Sequence, residues 1–287
     1  MFFNWFIDLI RKITPSFSSS LCHVSTYTRE LPINLDRMYE NAIDWEHLPW
    51  LHSATFSHVE MLEAGDWGWK IKAALTPKSV FNTMTLELRL DRTKNRWITK
   101  TLSGYGKGTE IWTHAIPIAD NKIKVIVDFY IPKIPKVLKP MYAENYETVY
   151  AKLYDEDLWM MAGRQKELDK LEHAVKVTDI SPSLNLGTWQ TLKPQMPYVF
   201  DFNQHAYRLV KLNGELIAHS TVCPHMLGPL NDANIEEGIL ECPWHGYQFD
   251  LKTRKCISGQ RCRMAPAPKI EHNTQTGEIV VHLKKRQ

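Results

Sequence analysis

Hydrophobic and polar side chains alternate through the middle of the chain. Met84, Leu86, Leu88 and Leu90 point one way while Thr85, Glu87, Arg89 and Asp91 point the other, the period of two that a half-buried strand requires. Ile123, Val125, Val127 and Phe129 repeat the pattern, and the two segments are expected as neighbours in an antiparallel sheet. A helix capped by Asn34 is expected before the strands, and a longer one from about Pro140 to Leu171 after them. This predicts an α+β layer, a sheet curled around the long helix with an apolar cavity between them. Beyond Leu171 comes a Ser-, Pro- and Asn-rich stretch around Ser181 to Asn185. Short strands then follow, such as Tyr207 to Leu212 and Glu278 to Val281, joined by Asn-Gly and Thr-Gly turns. This second part reads as all-β. The divisions are 18–172 for the first domain, 173–185 for a linker and 186–287 for the second domain.

Residues 1–17 stand apart. Phe2, Phe3, Phe6, Leu9 and Ile10 recur at helical spacing, which predicts a short helix with one apolar face. It is too short to span a bilayer, and without a basic n-region it does not read as a cleaved signal. Packing against the protein is favoured over membrane contact.

Composition changes the picture in two ways. A length of 287 residues with 44% hydrophobic side chains supports two cores, and a net charge of +3 with no basic run beyond Lys284-Lys285-Arg286 argues against nucleic acid. Five cysteines are present. Setting aside Cys223 and Cys242, treated next, Cys22, Cys256 and Cys262 remain, an odd number that argues against a disulfide framework. Cys256 and Cys262 are close enough to raise the question of a bridge but read as thiols of a reducing cytoplasm.

The chemistry is concentrated in two places. Cys223-Pro224-His225 and Cys242-Pro243-Trp244-His245 make C-x-H-x16-C-x-x-H, the donor set of a Rieske [2Fe-2S] cluster, with two His on one iron. Two Cys and two His could also close a zinc tetrahedron. Gly228, Pro229 and Gly246 beside the ligands favour the cluster, because they let the backbone wrap closely around it. The second place is Glu40-Asn41-Ala42-Ile43-Asp44-Trp45-Glu46-His47, which continues through Pro49 to His52. Asp44 and His47 would share a helix face, and a break at Pro49 would let the imidazoles of His47 and His52 converge on one metal. Taken alone, the spacing serves two ordinary histidines equally well. A third, carboxylate ligand is sought among Asp155, Glu156 and Asp157. On a helix Asp157 falls in line with Tyr146, Tyr150 and Leu153, Asp155 points nearly opposite and Glu156 lies on the flank. The alternative is that all three are solvated surface acids.

Both cysteine-histidine loops resemble those of Rieske proteins, and CPWHGYQFD is similar to the oxygenase and ferredoxin branch. Gly228 and Trp244 stand where the respiratory branch has a loop-stapling cysteine pair, so the resemblance implies a low-potential cluster. The run from Glu40 to His52 resembles E-N-x-x-D-x-x-H-x-x-x-x-H, the iron helix of the Rieske non-haem iron oxygenases, and EDLWMM resembles their third-ligand segment, with Ala162 in place of a usual Glu. The resemblance implies a helix-grip, START-like first domain followed by an all-β Rieske domain, the reverse of the usual order. It further implies iron(II) on His47, His52 and Asp157, Asn41 beside it, and Asp44 as the carboxylate linking a cluster histidine to an iron-ligating one. A cytoplasmic homotrimer oxidising a small apolar or aromatic substrate with O2 would follow. Gly104-Tyr105-Gly106-Lys107-Gly108 lies between strands with no helix after it and makes no dinucleotide site. Electrons would therefore arrive from an external ferredoxin or NAD(P)H-dependent reductase. Alternatives are an electron carrier fused to a ligand- or lipid-binding domain, in which His47 and His52 hold no iron, and a non-catalytic redox sensor. Trp159, Met160 and Met161 suit an apolar pocket or plain core packing.

Overall fold

The computed structural model describes residues 21–132, 134–173 and 180–283; the predicted helix of residues 1–17 lies outside them. The chain forms two compact units that divide at Leu158 and Trp159, within one long helix.

In the first unit, strand β1 (Leu21–Leu31) precedes helix α1 (Leu35–Ile43) and the single turn α2 (Leu48–Leu51). Strands β2 (Phe56–Gly65), β3 (Gly68–Leu75), β4 (Thr83–Asp91), β5 (Arg96–Gly104), β6 (Glu110–Ala119) and β7 (Lys122–Pro132) follow, and then helix α3 (Lys139–Glu172). The sheet is antiparallel in the order β1-β7-β6-β5-β4-β3-β2. The two alternating segments of the sequence are β4 and β7, but they are not neighbours, because β5 and β6 lie between them. Short turns force sequential pairing in a meander. The sequence reading also missed β1, an edge strand paired only with β7, which buries little beyond Val24 and Leu31 and so carries no clear alternation.

Register shifts interrupt β1 against β7, β2 against β3, β4 against β5 and β6 against β7. Each extra residue bends its strand and increases local twist, which curls the sheet. Its inner face buries Ile71, Leu88, Trp97, Val125, Val127 and Phe129. Phe129 stacks on Tyr146 of α3 at 4.8 Å and meets Tyr150 edge-on at 4.8 Å. Tyr154 of α3, also buried, stacks on Tyr27 of β1 at 5.8 Å. This is the expected α+β helix-grip arrangement, an antiparallel sheet curled against one long helix. Among the described residues no helix is long and apolar enough to cross a membrane.

The second unit is built of three three-stranded sheets. Strands β8 (Ser183–Thr188), β15 (Lys269–His272) and β16 (Glu278–His282) form one, and β9 (Tyr198–Phe202), β10 (His205–Leu212) and β11 (Glu215–Ser220) another. Strands β12 (Ile235–Glu236), β13 (Ile239–Glu241) and β14 (Gln248–Asp250) form the third. Asn213 and Gly214 both take positive φ, 50° and 88°, in the turn joining β10 to β11, as a twisted two-residue hairpin turn requires. Phe200, Phe202, Leu209, Ile279 and Val281 make the core between the first two sheets.

Candidate functional sites

In the first unit, Asn34 caps α1 by accepting from the Arg37 N–H at 2.9 Å, and the helix ends at Ile43. Asp44 leaves helical geometry, with φ −81° and ψ 96°, and its Oδ1 accepts from the Glu46 N–H at 3.1 Å. The helix therefore breaks at Asp44, before the position expected from Pro49. Pro49 instead opens α2, where a missing N–H costs nothing. His47 sits at the start of that turn and His52 at its end, so one short helical turn rather than a bent helix sets their spacing.

The two imidazoles meet at a ring separation of 5.0 Å and an angle of 75°. Asp157 comes to them from α3. His52 Nε2 lies 3.0 Å and His47 Nε2 3.5 Å from Asp157 Oδ1, and the Asn41 amide donates to the same oxygen at 2.8 Å. The three donor atoms lie within 4.8 Å of one another, and all three side chains are buried. Each imidazole holds a second carboxylate at its other nitrogen. Asp44 Oδ2 is 3.3 Å from His47 Nδ1, and Glu156 Oε2 is 2.6 Å from His52 Nδ1. Burial by itself would depress the His52 pKa, but Asp157 and then Glu156 outweigh it and hold the pKa above the ordinary imidazole value. The site therefore favours positive charge. Asp155 points outward to Arg29 at 2.7 Å. Glu156, which helical phase alone placed on the flank, is the partner that sequence reasoning missed. Its only signal was adjacency to Asp157.

Three tyrosines of α3 near Asp157 pack against the sheet. Burial pushes the Tyr146 phenol up to about 12 and raises those of Tyr150 and Tyr154 as well. All three stay protonated at neutral pH. Met160 and Met161 are buried, whereas Trp159 is 49% exposed.

In the second unit two loops share one backbone pattern. The Cys223 N–H donates to Gly228 O at 2.8 Å and Cys223 O accepts from Leu227 N–H at 3.1 Å. Cys242 repeats this with Tyr247 O at 2.9 Å and Gly246 N–H at 2.8 Å. Leu227 and Gly246, at matching places, have φ of 63° and 65°. Glycine meets that demand freely, while Leu227 meets it at a cost in strain. The loops bring Cys223, His225, Cys242 and His245 together. The His225 and His245 rings are 4.6 Å apart at 82°, and Tyr247 stacks on His225 at 4.3 Å. The Cys223 and Cys242 thiols lie close enough to interact, which lowers the Cys242 pKa and raises that of Cys223. A Cβ on Gly228 would lie 3.0 Å from the Trp244 ring and 3.1 Å from Cys242 Sγ, which explains a glycine there.

The sequence profile of the Rieske [2Fe-2S] domain matches residues 184–270. This part of the chain is a Rieske domain. Its donor set fits the cluster: two buried sulfurs in contact on one side, two imidazoles on the other, and a loop glycine admitting the close approach. The ferredoxin component of the alkene monooxygenase system of Xanthobacter autotrophicus (strain ATCC BAA-1158 / Py2) is 36% identical over 55 residues, 19% of this chain. The chain spans 45% of the length of that relative. Among solved structures, norcoclaurine synthase from Thalictrum flavum is 17% identical, with a TM-score of 0.40 over 55% of this chain and 100% of its own. The ferredoxin of carbazole 1,9a-dioxygenase from Nocardioides aromaticivorans IC177 is 24% identical, with a TM-score of 0.32 over 36% of this chain and 100% of its own. The Rieske domain supports electron transfer.

Proposed function

We propose that the chain is a Rieske-type non-haem iron oxygenase that oxidises a small apolar or aromatic substrate, with His47, His52 and Asp157 as the ligands of a mononuclear iron(II). When bound, that iron would supply O2 activation and the cluster would supply single electrons. The observation that carries this reading is the convergence of three buried donors on one point, each imidazole backed by a second carboxylate. Glu156, 2.6 Å from His52 Nδ1, and Asp44, 3.3 Å from His47 Nδ1, lie on the far side of each ring and so orient its Nε2 toward Asp157. Asn41 fixes the Asp157 carboxylate through its amide. Tyr146, Tyr150 and Tyr154 would give a substrate site beside the cluster an aromatic side suited to an apolar or aromatic guest. By its resemblance to the Rieske oxygenases, Asp44 would be the carboxylate that couples the two centres. The same reading gives the chain a cytoplasmic setting, an external ferredoxin or NAD(P)H-dependent reductase as donor, and a homotrimer as its assembly.

The test is iron and acid-labile sulfide per chain after anaerobic reconstitution with iron(II), on wild type and on the His47→Ala/His52→Ala double variant. About three irons per two sulfides, falling to about two in the variant, is the expected result. About two in both would sink the proposal and leave an electron carrier joined to a ligand-binding domain.

A further inference from the structure

The Rieske domain contains two cysteines besides the cluster ligands, Cys256 and Cys262. Lys255 and Arg263 form an antiparallel bridge. The Cys256 N–H donates to Cys262 O at 3.2 Å, and the Met264 N–H to Arg254 O at 2.9 Å. This register sets Cys256 directly opposite Cys262 in a hydrogen-bonded pair. The Cα atoms of such pairs are about 5.5 Å apart, inside the range that disulfides span. Opposite residues of a ladder share a face; the Cys256 Sγ lies 3.2 Å from Ser258 Oγ, and Cys256 is close enough to Cys262 to act on its thiol. Gly259, at φ 96°, lies in the loop between them. The sulfurs are unbonded and both residues are half-buried, within reach of a small reagent. Arg254, Lys255, Arg261 and Arg263 adjoin the two cysteines in sequence and make this segment cationic. Cys262 is also close enough to Cys223 and Cys242 to act on both electrostatically.

We propose that Cys256 and Cys262 are a redox-active dithiol beside the cluster, closed by exchange with an anionic low-molecular-weight disulfide such as oxidised glutathione. The thiolate of one cysteine attacks the small disulfide, breaking its S–S bond, forming a mixed disulfide and releasing one small thiol. The second cysteine then attacks the protein sulfur of that mixed disulfide and displaces the other small thiol. The cysteines lose two electrons and two protons, and both small thiols carry them away. The positive charge of the segment favours the negatively charged oxidant. This inference rests on the Rieske domain alone and does not depend on the mononuclear iron.

The cluster-loaded full chain is equilibrated with graded ratios of oxidised to reduced glutathione, quenched with an alkylating agent and mapped by mass spectrometry, with the visible cluster spectrum recorded at each ratio. The expected result is loss of alkylation at Cys256 and Cys262 together, with their peptides linked and the cluster spectrum retained. In Cys256→Ser a persistent glutathione adduct on Cys262 is expected instead. The proposal is overturned if both cysteines stay alkylated at every ratio. Separate adducts in wild type, or linkage to Cys223 or Cys242, overturn it equally.

Discussion

Single residues set the chemistry of both centres through their neighbours. Asp44 lies 3.3 Å from His47 Nδ1, just past the end of α1, where it would orient the ring without itself facing the proposed metal point. Asp44→Ala should retain iron and sulfide at wild-type stoichiometry yet lower turnover by about 100-fold. Metal analysis and substrate-dependent O2 uptake on the same preparation check this, and wild-type turnover would remove Asp44 from the coupling role. His219 is a different case. It is buried, its Nδ1 faces Ser220 O at 2.9 Å, and its Nε2 has no hydrogen-bond partner among the described residues. Burial lowers its pKa to about 4. The unfolded chain binds this proton near pH 6.5 and the folded chain does not, so stability is present above that pH. It falls as pH drops from about 6.5 to about 4, by an amount on the order of 3 kcal/mol. Denaturant melts of wild type and His219→Gln across that window should show a flatter profile for the variant. Parallel profiles would mean that His219 does not titrate as its burial dictates.

Helix α3 is the element on which the first site depends, because it carries Asp157, Glu156 and the tyrosines that anchor it to the sheet. Tyr154 is 5% exposed and stacks on Tyr27. Tyr154→Ala should cost about 3 to 5 kcal/mol of stability and, by loosening the helix one turn from Asp157, weaken iron binding as well. Thermal unfolding together with iron titration measures both effects. A loss of stability with unchanged iron affinity would show that the helix holds Asp157 without this contact. At this scale the sequence was partly legible. The phase of α3 picked out Asp157 as the inward acid, since a single helix has one fixed angular step. The break between α1 and α2 was expected at Pro49, yet it falls at Asp44, where the side chain satisfies the Glu46 N–H and makes the non-helical backbone favourable.

For the whole molecule the two centres should separate chemically. If iron(II) binds His47, His52 and Asp157 as proposed, with positions left open, a mild iron(II) chelator should remove it while the cluster, held by two sulfurs each 1% exposed, is retained. Substrate-dependent O2 uptake should then be lost and return on adding iron(II), with the visible spectrum constant throughout. Loss of the cluster spectrum in step with activity would contradict two independent centres.

The sequence by itself determined the local features. Strand alternation in β4 and β7, the span of α3, the Asn34 cap and both cysteine-histidine loops depend on residue type and spacing over a few positions. Tertiary structure alone decided that β5 and β6 separate β4 from β7, that β1 closes the far edge of the sheet, and that Glu156 meets His52 across 104 positions of chain. It also set Cys256 opposite Cys262. Those placements depend on strand pairing and on which helix face meets which loop, and such long-range choices leave no periodic trace in the residues that make them.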